Sequence, residues 1–205
     1  MDRILDTMRG KVVALSQNHS TSRVVQAVIK HGSDANRQDI LAEMLPHVLD
    51  LSRSQHGHFC VVKLIHVLAS TRAKKESLGQ LARAFRGKFS LLLRHPRACT
   101  VVDDLYTQMN AEEKNRVVAE FYGPAFRVLA SSNAQPVPTS LTALLRDQSG
   151  VQKRATMQFV GQQIQPLAEK LLLDPHVTHR VLAEYLRHAT PLEGMLYVIC
   201  ICVGR

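Results

Sequence analysis

The side chains of this sequence that could do chemistry by themselves are ten histidines and four cysteines. The cysteines form no CxxC pair, and His56 and His58 are two residues apart, which places them on different faces of a helix. The sequence also contains no GxSxG, HExxH, P-loop or GxGxxG motif. It therefore predicts a protein that is not an enzyme and that has no catalytic residue, no metal site and no cofactor.

The distribution of positive charge says more about function than the histidines and cysteines do. The formal net charge is +9, and residues 1–100 contain 16 Lys and Arg against 7 Asp and Glu. No acidic residue lies between Ser77 and Val102, a segment that contains five basic residues: Arg83, Arg86, Lys88, Arg94 and Arg97. Positive charge concentrated in this way predicts an anionic partner, most commonly RNA or DNA.

An internal repeat organises the chain. Residues 8–32, 44–68 and 85–106 align when the sequence is shifted against itself by 36 and then 41 residues. The alignment places Val24-Val25, Cys60-Val61 and Val101-Val102 at the same position, and a weaker copy covers 164–186. Each copy has two short blocks of apolar residues at helical spacing, separated by a polar turn.

This pattern predicts helices packed as repeats. Between the copies lie further helical stretches, such as the one that Ser33-Asp34 would cap. A unit of two or three helices cannot bury its apolar face alone, and its repetition at this period predicts an all-α solenoid. An ordinary helical bundle whose segments are similar by chance is the structural alternative.

The second helix of the first unit opens with Ser22, Arg23, Val24, Val25 and Gln26. This run resembles the RNA-binding signature of Pumilio (Puf) repeats, which has a small polar residue, a stacking residue, two apolar residues and Gln. The resemblance implies base-edge contacts for Ser22 and Gln26 and stacking of the Arg23 guanidinium on a base. It also implies a right-handed α-solenoid of armadillo-like Puf repeats.

Later units depart from this signature. The first, second and fifth positions are His58, Phe59 and Val62 in the second unit, Cys99, Thr100 and Asp103 in the third, and His179, Arg180 and Ala183 near the end. Val62 and Ala183 cannot hydrogen-bond a base through their side chains, and Asp103 would repel a phosphate. A base-by-base code is therefore not expected from this chain.

Three features make the chain most similar to the nucleolar Puf-A/Puf6 branch of the family. They are these departures, the run Arg-Gly-Lys at 9–11 and again at 86–88, and the run AEFYGPAF at 119–126. The similarity covers roughly residues 5–190, the N-terminal part of the family arrangement. It implies binding of structured RNA, and possibly DNA, with little sequence preference. It further implies pre-ribosomal particle proteins as partners, pre-rRNA processing and large-subunit assembly as the role, and the nucleus and nucleolus as the location.

The repeat signature and the basic segment together predict one set of residues that contact nucleic acid. The set is Ser22, Arg23, Gln26, His58, Phe59, Lys63, Arg83, Arg86, Lys88, Arg94, Arg97, His179 and Arg180. The predicted solenoid occupies residues 1–190, with units near 8–43, 44–84, 85–120, 121–163 (degenerate) and 164–190. A divergent tail is predicted at 191–205, and its apolar run from Met195 to Val203 is too short to span a membrane.

Two alternative functions remain open from the residues. The repeats could form a scaffold for protein interactions in which the base-contact residues are accidental. They could also form a sequence-specific mRNA-binding translational repressor. The four cysteines show no CxxC pair and no even spacing, which fits a reducing compartment. The charged N-terminus is unlike a secretory signal, so the protein is expected to stay inside the cell.

Overall fold

The computed structural model describes residues 6–70, 74–131 and 136–190. Within these ranges the chain is helical and has no strand, so the predicted all-α class is confirmed. None of the helices there is long and apolar enough to cross a membrane. The predicted tail at 191–205 lies outside the described residues.

The helices follow one another with short connections. A 3₁₀ turn spans Leu45–His47. The helices are α1 (Val12–Gln17), α2 (His19–His31), α3 (Asp34–Met44), α4 (Val48–Arg53), α5 (Gly57–Ala69), α6 (Lys74–Phe85), α7 (Phe89–Leu92), α8 (Ala98–Gln108), α9 (Ala111–Ala119), α10 (Pro124–Ser131), α11 (Leu141–Arg146), α12 (Gly150–Glu169) and α13 (His176–Leu186).

Polar side chains set several helix starts. Ser33 caps α3 as its position predicts, and its hydroxyl oxygen accepts a hydrogen bond from the backbone N–H of Asn36 at 3.2 Å. Asn110 begins α9 and Ser149 begins α12, each with a reciprocal capping box. Caps of this kind contribute about 1 kcal/mol each to helix stability.

Groups of three helices recur along the first 120 residues. They are α1 to α3, α4 to α6 and α7 to α9. Further on, the boundary predicted between 163 and 164 falls inside α12, which runs without interruption for 20 residues. The apolar period of a helix can continue through the restart of a repeat pattern, so the sequence signal did not reveal this shared helix.

Contacts between Cα atoms divide the chain into two compact bodies. The N-terminal body contains the described residues up to Phe85 together with His95–Gln108. The C-terminal body contains Arg86–Arg94 and the described residues from Met109 onwards. Each body has its own buried aliphatic core.

The second helices of the first three repeats build the N-terminal body. Helix α5 packs against both α2 and α8. Val25, Val61 and Val102 occupy the same repeat position on these helices, and each is 0% exposed. Full burial of an aliphatic side chain stabilises the fold by about 1.5–3 kcal/mol, so this shared register is a main source of stability.

A buried carboxylate organises the C-terminal body. Glu184 on α13 accepts hydrogen bonds from the Tyr122 hydroxyl at 2.6 Å and from the backbone N–H of Leu141 at 2.7 Å. Its other oxygen accepts from Arg180 Nε at 3.1 Å. Burial beside Glu184 raises the pKa of Tyr122, so the phenol remains protonated and donates its hydrogen bond.

The two Arg-Gly-Lys turns share one local structure. Gly10 and Gly87 have φ angles of 72° and 73°, in the left-handed region that favours glycine. A glutamate 33 residues further along the chain binds each turn. Glu43 accepts from the N–H of Gly10 at 3.0 Å, and Glu120 accepts from the N–H of Gly87 at 2.5 Å.

Each glutamate also binds the helix that follows its turn. Glu43 accepts from the N–H of Val12 at 2.7 Å, and Glu120 accepts from the N–H of Phe89 at 3.1 Å. Both carboxylates therefore satisfy backbone donors that a helix start leaves without an intrahelical partner. The last helix of a repeat is joined in this way to the start of its first helix.

Burial distinguishes Glu120 from Glu43. Glu120 is 1% exposed, whereas Glu43 is half-buried. Removal from water raises the pKa of Glu120 to about 7, although the N–H groups of Gly87 and Phe89 and the charge of Arg127 act in the opposite direction. The folded chain therefore keeps a proton on Glu120 at pH values where the unfolded chain has lost it.

We predict that the free energy of unfolding falls as pH rises from about 4.5 to about 7, because Glu120 must ionise while buried. The contribution of Glu120 to the free energy of unfolding is complete below the ordinary carboxyl pKa, and it is lost as pH rises through about 7. The expected loss is on the order of 2–3 kcal/mol, measured by urea unfolding at a series of pH values. The variant Glu120→Gln should lose most of this dependence, and the control Glu43→Gln should retain it. Parallel curves for the wild-type chain and Glu120→Gln would contradict the assignment.

We also predict that Gly87→Ala lowers the free energy of unfolding by about 1–2 kcal/mol, because a Cβ is strained at a φ of 73°. The control is Gly150→Ala at the start of α12, where an added Cβ meets no atom within 4 Å. That control should be neutral or stabilising by about 0.5 kcal/mol. Equal effects of the two substitutions in thermal unfolding would show that backbone strain is not the cause.

Candidate nucleic-acid interface

One row of exposed side chains crosses the second helices of the N-terminal body. Arg23, Phe59 and Thr100 are exposed on α2, α5 and α8, and Phe59 is 47% exposed. Each lies two residues before a fully buried valine, and two residues in a helix turn the side chain by about 200°. These are the positions that the sequence predicts for stacking on bases.

A surface pocket of about 400 Å³ lies around the first two members of this row. None of the residues named as its lining is acidic. They are His19, Ser22, Arg23, Gln55, His56, His58, Phe59 and Arg97. The pocket therefore combines two guanidinium groups with several planar rings.

The rings in the pocket are ordered by contacts with one another. The ring centroids of His58 and Phe59 are 3.8 Å apart, and those of His19 and His56 are 5.2 Å apart in an edge-to-face arrangement. His58 Nδ1 also makes a hydrogen bond of 2.9 Å with the backbone oxygen of Ser54. Planar rings held in this way present surfaces on which nucleobases stack.

The predicted base-edge residues are directed into the protein. Ser22 is 2% exposed, and its hydroxyl donates to the backbone oxygen of His19 at 2.9 Å. The amide nitrogen of Gln26 is buried beside the Cys60 thiol and has no hydrogen-bond acceptor among the described residues. The first repeat thus exposes Arg23 and buries the Ser22 hydroxyl and the Gln26 amide nitrogen.

The first position of the third repeat does not offer a polar edge contact either. Cys99 occupies its first position and is buried, and its thiol donates to the backbone oxygen of Pro96 at 3.0 Å. Burial raises the pKa of both Cys99 and Cys60, which keeps these thiols neutral. Among the described residues no group of histidine, cysteine and carboxylate side chains could hold a metal ion.

The predicted basic residues lie in different surroundings. Arg97 lines the pocket, and Lys63 is half-buried on α5. Arg83 and Lys88 are exposed, the first in the N-terminal body and the second in the C-terminal body with Arg86. Arg94 also belongs to the C-terminal body, and its Nη2 donates to Gln163 Oε1 at 2.7 Å.

The two predicted residues of the late repeat, His179 and Arg180, lie in different surroundings. His179 is exposed on α13. Arg180 instead makes hydrogen bonds through Nη2 to Asn115 Oδ1 at 2.7 Å and to the backbone oxygen of Thr139 at 2.9 Å, besides its contact with Glu184. The guanidinium of Arg180 therefore has a structural role in the C-terminal body, and its contact with nucleic acid stays a prediction.

Sequence reasoning did not include three pocket residues, namely His19, Gln55 and His56. Their place in the repeat could have revealed these residues. His56 and Arg97 both stand two residues before the first signature position of their repeats, and His19 and Gln55 stand three residues before it. The turn that leads into each second helix therefore supplies pocket residues as regularly as the helix does.

Comparisons with known proteins agree with this architecture. No family model matches the chain. Pumilio homolog 24 of Arabidopsis thaliana is 31% identical over 182 residues, which cover 87% of this chain and 27% of that protein. The chain thus spans about a quarter of the length of this relative.

Solved structures show the same fold. Human Puf-A in complex with DNA superimposes with a TM-score of 0.78 at 21% identity, over 98% of this chain and 38% of that one. The Puf3 RNA-binding domain bound to a Cox17 RNA site gives a TM-score of 0.52 at 15% identity, over 96% of this chain and 54% of that one. These neighbours confirm the predicted α-solenoid of helical repeats.

The three-helix repeat, the fold shared with both structures and the sequence similarity lead to one assignment. The chain belongs to the Pumilio (Puf) repeat family.

Proposed function

We propose that this chain binds RNA, and also DNA, through the pocket and the exposed row of the N-terminal body, with little preference for sequence. The observation that carries the proposal is the convergence of Arg23, Phe59, His56, His58 and Arg97 around one pocket, which no acidic side chain of the described residues lines. Guanidinium groups contact phosphates, and rings stack on any base.

The guanidinium of Arg23 is free to reach a ligand. Arg23 is exposed, and it makes no ion pair with a described residue. An arginine stacks on a base through its planar group and attracts phosphate through its charge. Phe59 adds an exposed aromatic face on the neighbouring helix, at the equivalent repeat position.

Low sequence preference follows from the edge positions. A base is read when side-chain donors and acceptors meet its edge, as in repeats that read one base each. Here the Ser22 hydroxyl and the Gln26 amide nitrogen are turned inward, and Val62 has an apolar side chain. Stacking and charge remain, and neither discriminates strongly between bases.

The structural neighbours support the choice of ligand. One of them is human Puf-A in complex with DNA, and another is a Puf domain bound to RNA. The higher TM-score with Puf-A, 0.78 against 0.52, supports the Puf-A branch over the branch of Puf3. A non-specific binder is consistent with that branch, as the sequence resemblance implies.

We further propose that the chain acts within a longer Puf-A-like protein in pre-rRNA processing and large ribosomal subunit biogenesis. Structured RNA would then be the ligand, pre-ribosomal particle proteins the partners and the nucleolus the location. The support is the resemblance in the repeat signature and in the Arg-Gly-Lys turns. The excess of basic residues in the first hundred positions suits a ligand rich in phosphates.

We predict that affinity for RNA depends strongly on salt, because phosphate contacts release counterions. If about six phosphates are neutralised, affinity should fall by about 10³-fold between about 50 and 200 mM salt. The measurement is a fluorescence anisotropy titration with a structured and a single-stranded RNA. A nearly flat salt dependence, or an absence of binding at low salt, would favour a protein-interaction scaffold instead.

We also predict that Arg23→Ala weakens binding to all RNAs by roughly fivefold to thirtyfold, the equivalent of about 1–2 kcal/mol for one stacking contact. Gln26→Ala should change affinity by less than about threefold, because the amide nitrogen that would donate to a base is buried. The matched control is Lys30→Ala, which removes an exposed cation from the end of the same helix and outside the pocket.

A panel of four RNAs that differ at one base distinguishes the possibilities. Equal losses with Arg23→Ala across the panel are expected. If Gln26→Ala reduces binding to one base only, this repeat reads sequence and a sequence-specific repressor is the better interpretation. Equal effects of Arg23→Ala and Lys30→Ala would show that general charge is sufficient.

A further inference from the structure

A second pocket lies in the C-terminal body, on helices other than those that carry the stacking row. It has a volume of about 260 Å³. It is formed by α7 and α10, the first helices of their repeats, together with the second half of α12. We call it the Arg94 pocket, and its lining includes Ser90, Leu91, Arg94, Arg127, Phe159 and Gln163.

Arg94 is a half-buried cation with a neutral partner. Its single hydrogen bond to a described residue is the one that Nη2 donates to the Gln163 amide at 2.7 Å. It makes no ion pair with a described carboxylate, and its Nε is buried with no partner there. A buried guanidinium N–H without a partner is costly, so an anionic ligand at this pocket would stabilise Arg94.

Arg127 brings a second guanidinium to the same pocket. Its Nη2 donates to Ser90 Oγ at 3.2 Å, which orients the group towards α7. The charge of Arg127 also acts on buried Glu120. Arginine forks match the geometry of a carboxylate, and charge-assisted contacts of this type are about twice as strong as neutral ones.

The surface around the two arginines is apolar. Leu91 is 52% exposed in the pocket, and Val128, which follows Arg127, is 71% exposed. Pro124 is exposed one turn earlier on α10, and Phe159 lies half-buried on α12. Exposed aliphatic groups beside arginine are typical of surfaces that bind proteins. They offer nothing to the sugar-phosphate backbone of a nucleic acid.

We propose that the Arg94 pocket is a docking site for a segment of another protein that presents a carboxylate beside an aliphatic or aromatic side chain. The carboxylate contacts Arg94 and Arg127, and the apolar side chain covers Leu91. The two arginines favour an acidic group, and the exposed aliphatic side chains favour a peptide over a free phosphate, because a phosphate has no apolar group to pack against them. This site is independent of the proposed nucleic-acid function.

The test uses random peptides of about twelve residues displayed on phage and selected on the full chain. Enriched peptides are expected to carry Asp or Glu next to Leu, Ile, Val or Phe. One enriched peptide is then synthesised with a fluorescent label, and its affinity is measured by anisotropy. Selection of peptides that lack an acidic residue, or no selection at all, would overturn the proposal.

Variants then locate the binding site. Arg94→Gln should weaken the labelled peptide by about tenfold or more, the size of one lost charge pair. Leu91→Asp should weaken it at least as much, and this exposed position allows the test to proceed if Arg94→Gln lowers the melting temperature. The control Lys153→Gln removes an exposed cation from α12 outside this pocket and should have less than a twofold effect.

RNA binding by the same variants separates the two functions. Leu91→Asp should leave RNA affinity within about threefold of the wild-type chain, because Leu91 is not among the residues predicted to contact nucleic acid. An equal loss of RNA and peptide binding would make a nucleic acid the occupant and overturn the proposal. Arg23→Ala should weaken RNA binding and leave peptide binding unchanged, because Arg23 lines the other pocket. The proposed function and the docking site can therefore fail separately.

Discussion

The burial of aliphatic side chains between neighbouring second helices is the interaction on which the rest of this structure depends. Val25, Val61 and Val102 are completely removed from water at equivalent positions of α2, α5 and α8. Since the helix period then leaves no freedom to rotate a helix, the residues two positions earlier must face outward. The row of Arg23, Phe59 and Thr100 is therefore a consequence of core packing.

The turns that begin the repeats depend on carboxylates contributed from far along the chain. Glu43 and Glu120 satisfy helix-start donors 31 and 33 residues away. A helix of only four residues, such as α7, is too short to be stable by itself. Packing of its apolar residues and the hydrogen bonds that Glu120 accepts from the N–H groups of Gly87 and Phe89 together hold it in place.

The same packing explains why Arg23 and Phe59 are exposed while the Ser22 hydroxyl and the Gln26 amide nitrogen are buried. Ser22 satisfies its hydroxyl within its own helix, and Gln26 has its amide nitrogen inside the protein. Arg180, a predicted stacking residue, is used to connect α13 with Asn115 and Thr139. Polar groups of the signature have thus been taken up by the protein interior, while charge and planar rings remain at the surface.

Arg94 and Arg97 illustrate how neighbours in sequence acquire different surroundings. Arg97 lines the pocket with Arg23 and Phe59, whereas Arg94 contacts Gln163 among apolar residues of the C-terminal body. A run of basic residues without acids predicts an anionic ligand, and it carries no information on how many surfaces share the charge. That division depends on where each helix ends and on which body it joins.

The sequence by itself determined the helical class, the repeat register of the valines, the cap at Ser33 and the helix positions at which Arg23 and Phe59 are exposed. These features depend on helix periodicity and on local capping, which act over a few residues and are visible in the order of side chains. The tertiary structure alone decided that His19 and His56 meet beside Arg23, and that Glu184 binds Tyr122, Leu141 and Arg180. It also decided that Arg94 shares a pocket with Arg127. Such groups lie tens of residues apart, so their meeting depends on the exact packing of helices, which no local pattern specifies.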